Sequence, residues 1–233
     1  MKDIIIVGGG SAGWMTAATL IKFFPNKTIT LIESPNISTV GVGESTIGGI
    51  RDWVQLLEID EDDFVKETDA SYKLSIKFTD FYKKGESFHY PFGHPDTKNN
   101  INDINDWWFK KFITPDLLYE DYAECYYPQM QLIKTNKFSK KYEYAYHFDA
   151  TKFGLWLKNN YCIPKGVGHI QEDVKSIEQD ENGIASLNNK HKADLYIDCT
   201  GFKSMLLEKT LLEPFESFSD MLPNNSAWAT KIN

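Results

Sequence analysis

Ile4-Ile5-Ile6-Val7-Gly8-Gly9-Gly10-Ser11-Ala12-Gly13-Trp14 is the stretch that decides the fold of this chain. Its first four residues are all β-branched and offer no polar face, so they predict a strand covered on both sides, as in a parallel sheet. The glycines that follow satisfy G-x-G-x-x-G through Gly8, Gly10 and Gly13. In that pattern Gly8 makes the tight turn off the strand, Gly10 lets backbone approach a pyrophosphate, and Gly13 lets helix and sheet pack closely. From Ser11 to Phe24, Trp14, Ala17, Ala18 and Ile21 recur at helical spacing until Pro25 stops them. The helix start, with the N–H groups of Ser11 and Ala12, is an anion site. Thr28 to Ile32 predicts a second strand, and Glu33 ends it twenty residues past Gly13. A carboxylate there can accept both ribose hydroxyls of a dinucleotide and repel a 2′-phosphate. The unit is built to hold NAD or FAD and does not choose between them.

Further along, Gly41-Val42-Gly43-Glu44-Ser45-Thr46 forms a second glycine-bearing turn before an amphipathic helix over 47–57. The acidic run Glu58 to Asp63 predicts a solvated helix start. Lys73 to Phe81 alternates, with Lys73, Ser75, Lys77 and Thr79 on a wet face and Leu74, Ile76 and Phe78 on the other, which predicts one half-buried strand. Residues 85–146 are irregular and aromatic, with a short helix over 106–113, and are expected to form a layer over the core. Asp149 to Asn160 returns to helical spacing through Phe153, Leu155, Trp156 and Leu157. Val174 to Ile177 and Ile184 to Leu187 flank Asn182-Gly183, a hairpin signal, and predict a β-meander. Asp194 to Asp198 is a further buried strand, ended by Cys199-Thr200-Gly201.

Composition narrows the function classes. A chain of 233 residues that is 42% hydrophobic can build a real core. Its net charge of -8 and pI near 5.2 argue against a nucleic-acid partner, because such proteins gather Lys and Arg on one face. The apolar run after Met1-Lys2-Asp3 is too short for a signal peptide or a spanning helix, so a soluble, cytoplasmic protein without a membrane partner is expected. Cys125, Cys162 and Cys199 form no C-x-x-C pair and no metal-ligand spacing, which predicts reduced thiols and no metal. Nothing in the composition fixes the oligomeric state, and a homodimer stays open.

The segment 193–201, Ala-Asp-Leu-Tyr-Ile-Asp-Cys-Thr-Gly, resembles the second dinucleotide signature of glutathione-reductase-type flavoproteins, in which an acid approaches the flavin's ribityl or phosphate region. Asp198 stands in that place; alternatively it caps the turn that follows. The chain also resembles the flavin-dependent tryptophan halogenases. The matching segments, in the family's order, are residues 8–14, Gly41 to Thr46, Ile76-Lys77-Phe78, Tyr90-Pro91-Phe92-Gly93, Tyr146-His147-Phe148-Asp149, and Asp198-Cys199-Thr200-Gly201-Phe202.

That resemblance implies an α/β fold: a Rossmann-like FAD-binding domain of glutathione-reductase type with a β-meander and an aromatic-rich, partly irregular substrate layer. It implies one halogenase-like domain over 1–233, incomplete at its C-terminus, with the FAD core at 1–82 and 161–233 and the substrate layer at 83–160. It implies a reaction in which reduced FAD, supplied by a separate flavin reductase, activates oxygen and oxidises chloride or bromide to hypohalous acid, which crosses to a lysine. Lys77, on the segment that looks like the family's lysine-bearing one, is the expected catalytic residue. Cofactor contacts are expected from Gly8, Gly10, Ser11, Ala12, Gly13, Glu33, Val174 and Asp198, and from Gly43, Glu44 and Ser45 in a segment that looks like the family's strap over the flavin. Tyr90 and Phe92 fall where the family sandwiches indole. Tyr90 stands in the place of a common His, which points to an electron-rich, indole-like aromatic other than free tryptophan. Trp107-Trp108 is not the family's Trp-x-Trp-x-Ile-Pro signature, which does not occur, so a flavin monooxygenase of the same fold or a truncated FAD-binding protein also fits the residues.

Overall fold

The computed structural model describes residues 1–37, 43–95, 104–115 and 121–228, without the side chains of Ile104 and Asn105. Gly41 and Val42 of the second glycine turn lie outside the described residues. In chain order the strands are β1 (Asp3–Val7), β2 (Thr28–Glu33), β3 (Gly43–Ser45), β4 (Ser71–Lys73), β5 (Ser75–Thr79), β6 (Ser87–Pro91), β7 (Ala145–Asp149), β8 (Gly168–Gln171), β9 (Ile177–Asp180), β10 (Gly183–Leu187) and β11 (Leu195–Asp198). The helices are α1 (Ser11–Phe23), α2 (Gly49–Leu56), α3 (Glu61–Glu67), α4 (Ile104–Ile113), α5 (Tyr122–Tyr126), α6 (Pro128–Lys134) and α7 (Ala150–Trp156). The chain divides into two compact units, one of Met1–Glu44, Asp62–Asp69 and Phe148–Asn233, the other of Ser45–Glu61 and Ala70–His147. Residues 45–61 and 70–82, expected in the FAD core, therefore belong to the second unit, and 148–160, expected in the substrate layer, to the first.

The first unit is built on a parallel sheet of order β11-β1-β2-β8. Ile4 lies opposite both Leu195 and Ile29, so β1 is flanked on each side, as its unbroken apolar run requires. Ile5 and Val7 enter a buried cluster with Ile32, Leu187 and Leu206, against which Ile170, Val174 and Ile177 pack. The pleat sends Ile4 and Ile6 to the opposite face. α1 contributes its buried stripe Trp14, Ala17, Ala18 and Ile21, and each large side chain so buried stabilises by about 1.5–3 kcal/mol. β8 completes the sheet beside β2 and carries no strand signal in the sequence. The expected meander is a hairpin, β9-β10, with Gly183 at φ 122 after its turn.

α7 is capped by Asp149, whose Oδ1 accepts the Lys152 N–H at 2.9 Å. Past Trp156 it continues as a π-helix over Leu157–Cys162, so the uniform helix expected over 149–160 widens in its last turn. Phe64 of α3 is fully buried and meets Phe153 and Trp156 edge-on, with centroids 5.8 and 6.0 Å away. None of the three cysteines is in a disulfide. Burial pushes the Cys162 thiol up to about 12, which leaves it unreactive.

In the second unit the single strand expected from Lys73 to Phe81 is broken at Leu74, whose carbonyl accepts the Phe92 N–H at 3.1 Å. β4 pairs with β7, in the sheet β3-β7-β4, whereas β5 pairs with β6. The change of partner at Leu74 undoes the expected wet face: Lys73 is buried and Lys77 exposed. The acidic helix start is also corrected at Glu61. Its Oε1 accepts the hydroxyls of buried Tyr144 and Tyr146 at 2.7 and 2.8 Å, and its Oε2 meets Lys140 Nζ at 2.9 Å. Burial and the neighbouring Glu61 push the Tyr144 hydroxyl up to about 12. Among the described residues no helix is long and apolar enough to cross a membrane, and no group of His, Cys, Asp and Glu could hold a metal ion.

Candidate functional site

At the carboxyl ends of β1, β2 and β11 the first unit opens into a cavity of about 730 Å³. That is where open α/β sheets bind their ligands, and the volume lies within the range of small-molecule pockets. Gly8 turns the chain off β1 with φ 115, and a Cβ on it would stand 2.2 Å from the Cys199 carbonyl oxygen. A Cβ on Gly13 would stand 1.9 Å from the Gly8 carbonyl oxygen, so these two glycines are demanded by the backbone itself. Gly10 differs, having nothing within 4 Å of where its Cβ would be. It is also the N-cap of α1, which has no side-chain cap and no acid in its first turn. Uncapped amides, a positive helix end and open space fit a pyrophosphate. Gly8, Gly10, Ser11, Ala12, Glu33, Glu44 and Val174 line the cavity.

Glu33 is more constrained than its place in the sequence suggests. Its Oε1 accepts from Lys158 Nζ at 2.8 Å and meets His169 Nε2 at 2.7 Å, while Oε2 lies against Gly9. The π-helix carries Lys158 and β8 carries His169, and both pack on Trp14, with Lys158 Nζ 5.7 Å and the His169 ring 5.5 Å from its ring. Neither was singled out by the sequence, since each is more than a hundred residues from Glu33 and part of no motif. The pair holds the carboxylate by one oxygen, at a residue that lines the cavity. Glu33→Ala is therefore expected to weaken FAD binding by about 10- to 100-fold, the cost of losing hydrogen bonds to a charged acceptor. Fluorescence titration of the flavin measures it, and an unchanged affinity would remove Glu33 from the ribose site.

Asp198 is placed differently from its expected role near the flavin. Its Oδ1 accepts the Thr200 N–H at 2.9 Å and the Thr200 hydroxyl at 2.6 Å, and its Oδ2 accepts the amides of Leu206 and Leu207 at 2.7 and 3.1 Å. Burial would raise its carboxyl, but these donors outweigh it and hold the group below the ordinary carboxylate range. Asp198 does not line the cavity; the turn it fixes does, through Cys199, Thr200 and Gly201. Lys175 and Lys203, which no motif marks, line it as well. Gly13, Gly43 and Ser45 are not among the lining residues.

In the second unit the polar centre is Lys73. Its Nζ donates to Ser45 Oγ and to the Thr46 carbonyl oxygen, both at 2.8 Å, and stands 5.3 Å above the Phe92 ring. Burial lowers its proton affinity below that of an ordinary lysine. Lys77 stands exposed on β5 opposite His89, whose Nδ1 lies 2.8 Å from the Ser75 hydroxyl. Tyr90 is 63% exposed and Phe92 only 6%. Phe92 is thus packed beneath the ammonium, its backbone carbonyl held by Gln129 Nε2 at 2.8 Å, and Tyr90 is the ring that faces outward. His94, in the loop after β6, is exposed.

Known proteins resemble the chain along nearly its whole length. The chain is 32% identical to the tryptophan 6-halogenase SttH of Streptomyces toxytricini, over 98% of its own length and 49% of that protein's. It is 34% identical to the tryptophan 7-halogenase RebH of Lentzea aerocolonigenes, over 100% of its own length and 48% of that protein's. The solved structure of Xcc4156, a flavin-dependent halogenase from Xanthomonas campestris, matches with a TM-score of 0.84 at 32% identity, over 94% of this chain and 46% of that one. The chain spans about half the length of the curated relatives it matches. A family model for tryptophan halogenase matches residues 3–233, running through the Gly8 turn, the Lys73 strand and the Asp198 turn alike. The chain belongs to the tryptophan halogenase family.

Proposed function

We propose that this chain supplies the cofactor-binding part and the reactive lysine of a flavin-dependent halogenase acting on an electron-rich, indole-like aromatic. FAD is held by the α1 amides and Gly10 at its pyrophosphate, by Glu33 at its ribose, and by Val174 and Glu44 along the cavity wall. When bound in reduced form, with electrons from a separate flavin reductase, it supplies the two-electron activation of oxygen that halide oxidation requires. Lys73, rather than Lys77, is the lysine that meets the halogen oxidant. Family membership supports the reaction class, and one observation carries the choice of residue: Lys73 is buried, with two acceptors and an aromatic ring around its Nζ, whereas Lys77 points to water. A desolvated ammonium donates to the oxygen of a hypohalous acid far more strongly than a hydrated one, because no water competes for its N–H groups. It thereby makes the halogen more electrophilic toward an aromatic carbon. Tyr90, exposed on β6, is the ring available to a flat substrate, and its hydroxyl in place of an imidazole favours an indole-like compound other than free tryptophan.

The test is incubation with FAD, a flavin reductase, a nicotinamide reductant, oxygen and bromide over a panel of indoles, followed by mass spectrometry. A product with bromine's paired isotope pattern supports the proposal. A product heavier by one oxygen, formed with or without bromide, would make the protein a monooxygenase instead. FAD binding without any product would reduce this chain to a cofactor carrier.

A further inference from the structure

We propose that Ser45 is a positioning residue, whose hydroxyl joins the Thr46 carbonyl in a pair of acceptors that fixes where the Lys73 ammonium points. This rests on Lys73 being the reactive lysine, and it moves Ser45 from the cofactor contacts, where the family resemblance put it, to the lysine.

The geometry is specific. An ammonium has three N–H donors in a tetrahedral array, and two of them are committed, at 2.8 Å each, to Ser45 Oγ and Thr46 O. Fixing two directions fixes the third, so one N–H has a set line of approach to an incoming oxidant. The two acceptors differ in freedom. Thr46 is clamped to β7: its N–H and its hydroxyl donate to the Tyr146 carbonyl oxygen at 3.0 and 2.9 Å, and its Oγ1 accepts the Tyr146 N–H at 3.0 Å. The Thr46 carbonyl is therefore a rigid backbone acceptor. Ser45 Oγ sits on a rotatable side chain and is the only part of the pair that a substitution can remove. Lys73 is 9% exposed, so water does not readily replace a lost acceptor. Phe92 holds the ammonium over its ring but offers no direction as sharp as a lone pair. On β7, His147 is the titratable group that responds to the Lys73 charge: burial first, and then that charge, lowers its proton affinity.

The experiment is competitive acetylation of the full chain across a pH series, with the Lys73 peptide quantified by mass spectrometry, in the parent, Ser45→Ala and Ser45→Thr. His147→Gln serves as a background in which the neighbouring imidazole is silent. Loss of an acceptor disfavours the charged ammonium, so Ser45→Ala is expected to lower the labelling midpoint of Lys73 by about one pH unit, a tenfold loss of proton affinity. Ser45→Thr keeps a hydroxyl and is expected to restore the parent midpoint. Turnover of Ser45→Ala should fall about tenfold in kcat with the FAD dissociation constant unchanged. A parent-like midpoint in a folded Ser45→Ala protein overturns the proposal. So does a defect that threonine does not rescue, or one that follows FAD affinity. Labelling is read without turnover, so a parent that never halogenates would sink the role of Lys73 and still show whether Ser45 grips it.

Discussion

Lys73→Ala is expected to lose about 10²–10⁴-fold in halogenation, the range for removing a group that donates to the reacting atoms, with no change in FAD affinity. Lys77→Ala should retain the parent rate. The contrast follows from surroundings rather than residue type: both are lysines on one stretch of chain, but only Lys73 is desolvated and directed by Ser45 and Thr46. Arginine should not substitute, because its planar fork cannot occupy the place of a compact ammonium between a hydroxyl, a carbonyl and the Phe92 ring. Single-turnover formation of brominated indole, read by mass spectrometry beside a flavin titration, measures both variants. A Lys73→Ala enzyme working at the parent rate would return the role to Lys77 or to no lysine at all. Lys73→Met adds a thermodynamic check. It removes a buried charge at similar volume, so it should melt no lower than the parent while remaining inactive, the pattern of a residue kept for chemistry at a cost in stability.

Gly8→Ala is expected to destabilise the first unit by about 2–6 kcal/mol, a large part of the 5–15 kcal/mol typical of a whole domain. Two independent terms add. At φ 115 an L-residue is strained before any neighbour is considered, and its Cβ would stand 2.2 Å from the Cys199 carbonyl oxygen. That oxygen belongs to backbone that cannot withdraw, since the Cys199 N–H is bonded to the Val7 carbonyl at 2.8 Å and the Gly8 N–H to that of Ile32 at 2.9 Å. Gly10→Ala is the control. With nothing within 4 Å of its Cβ, the variant should fold like the parent and lose FAD affinity, because the added methyl would enter the space proposed for the pyrophosphate. Urea denaturation of both proteins separates the two roles, and equal stability of Gly8→Ala and the parent would refute the turn as described.

The first βαβ unit was legible because its signals are local: a β-branched run, glycines at fixed offsets and a helical stripe each report on neighbours within one turn or pleat. Its partners were less so. β8 has too short and too polar a pattern to announce a strand, yet it sets the edge beside β2. Alternation from Lys73 to Phe81 predicts one strand with one wet face, because periodicity reports which residues share a side and not what lies across from them. The chain changes partner at Leu74, and Lys73 is buried where Lys77 is not. Asp198 shows a different limit, since an acid at a strand end has the same spelling whether it greets a ligand or gathers the amides of Thr200, Leu206 and Leu207. Family resemblance carried the expected reaction class, and the different surroundings of the two lysines come from the fold alone.

The corner formed by Glu33, Lys158 and His169 bears on any attempt to change which nucleotide this scaffold prefers. Removing the acid does not leave a neutral wall: it uncovers an ammonium and an imidazole, the chemistry that welcomes a ribose 2′-phosphate. Three side chains from three distant stretches of sequence share that corner, so a change at Glu33 alone takes from Lys158 and His169 the acceptor they share, and a designer must rewrite the corner as a unit.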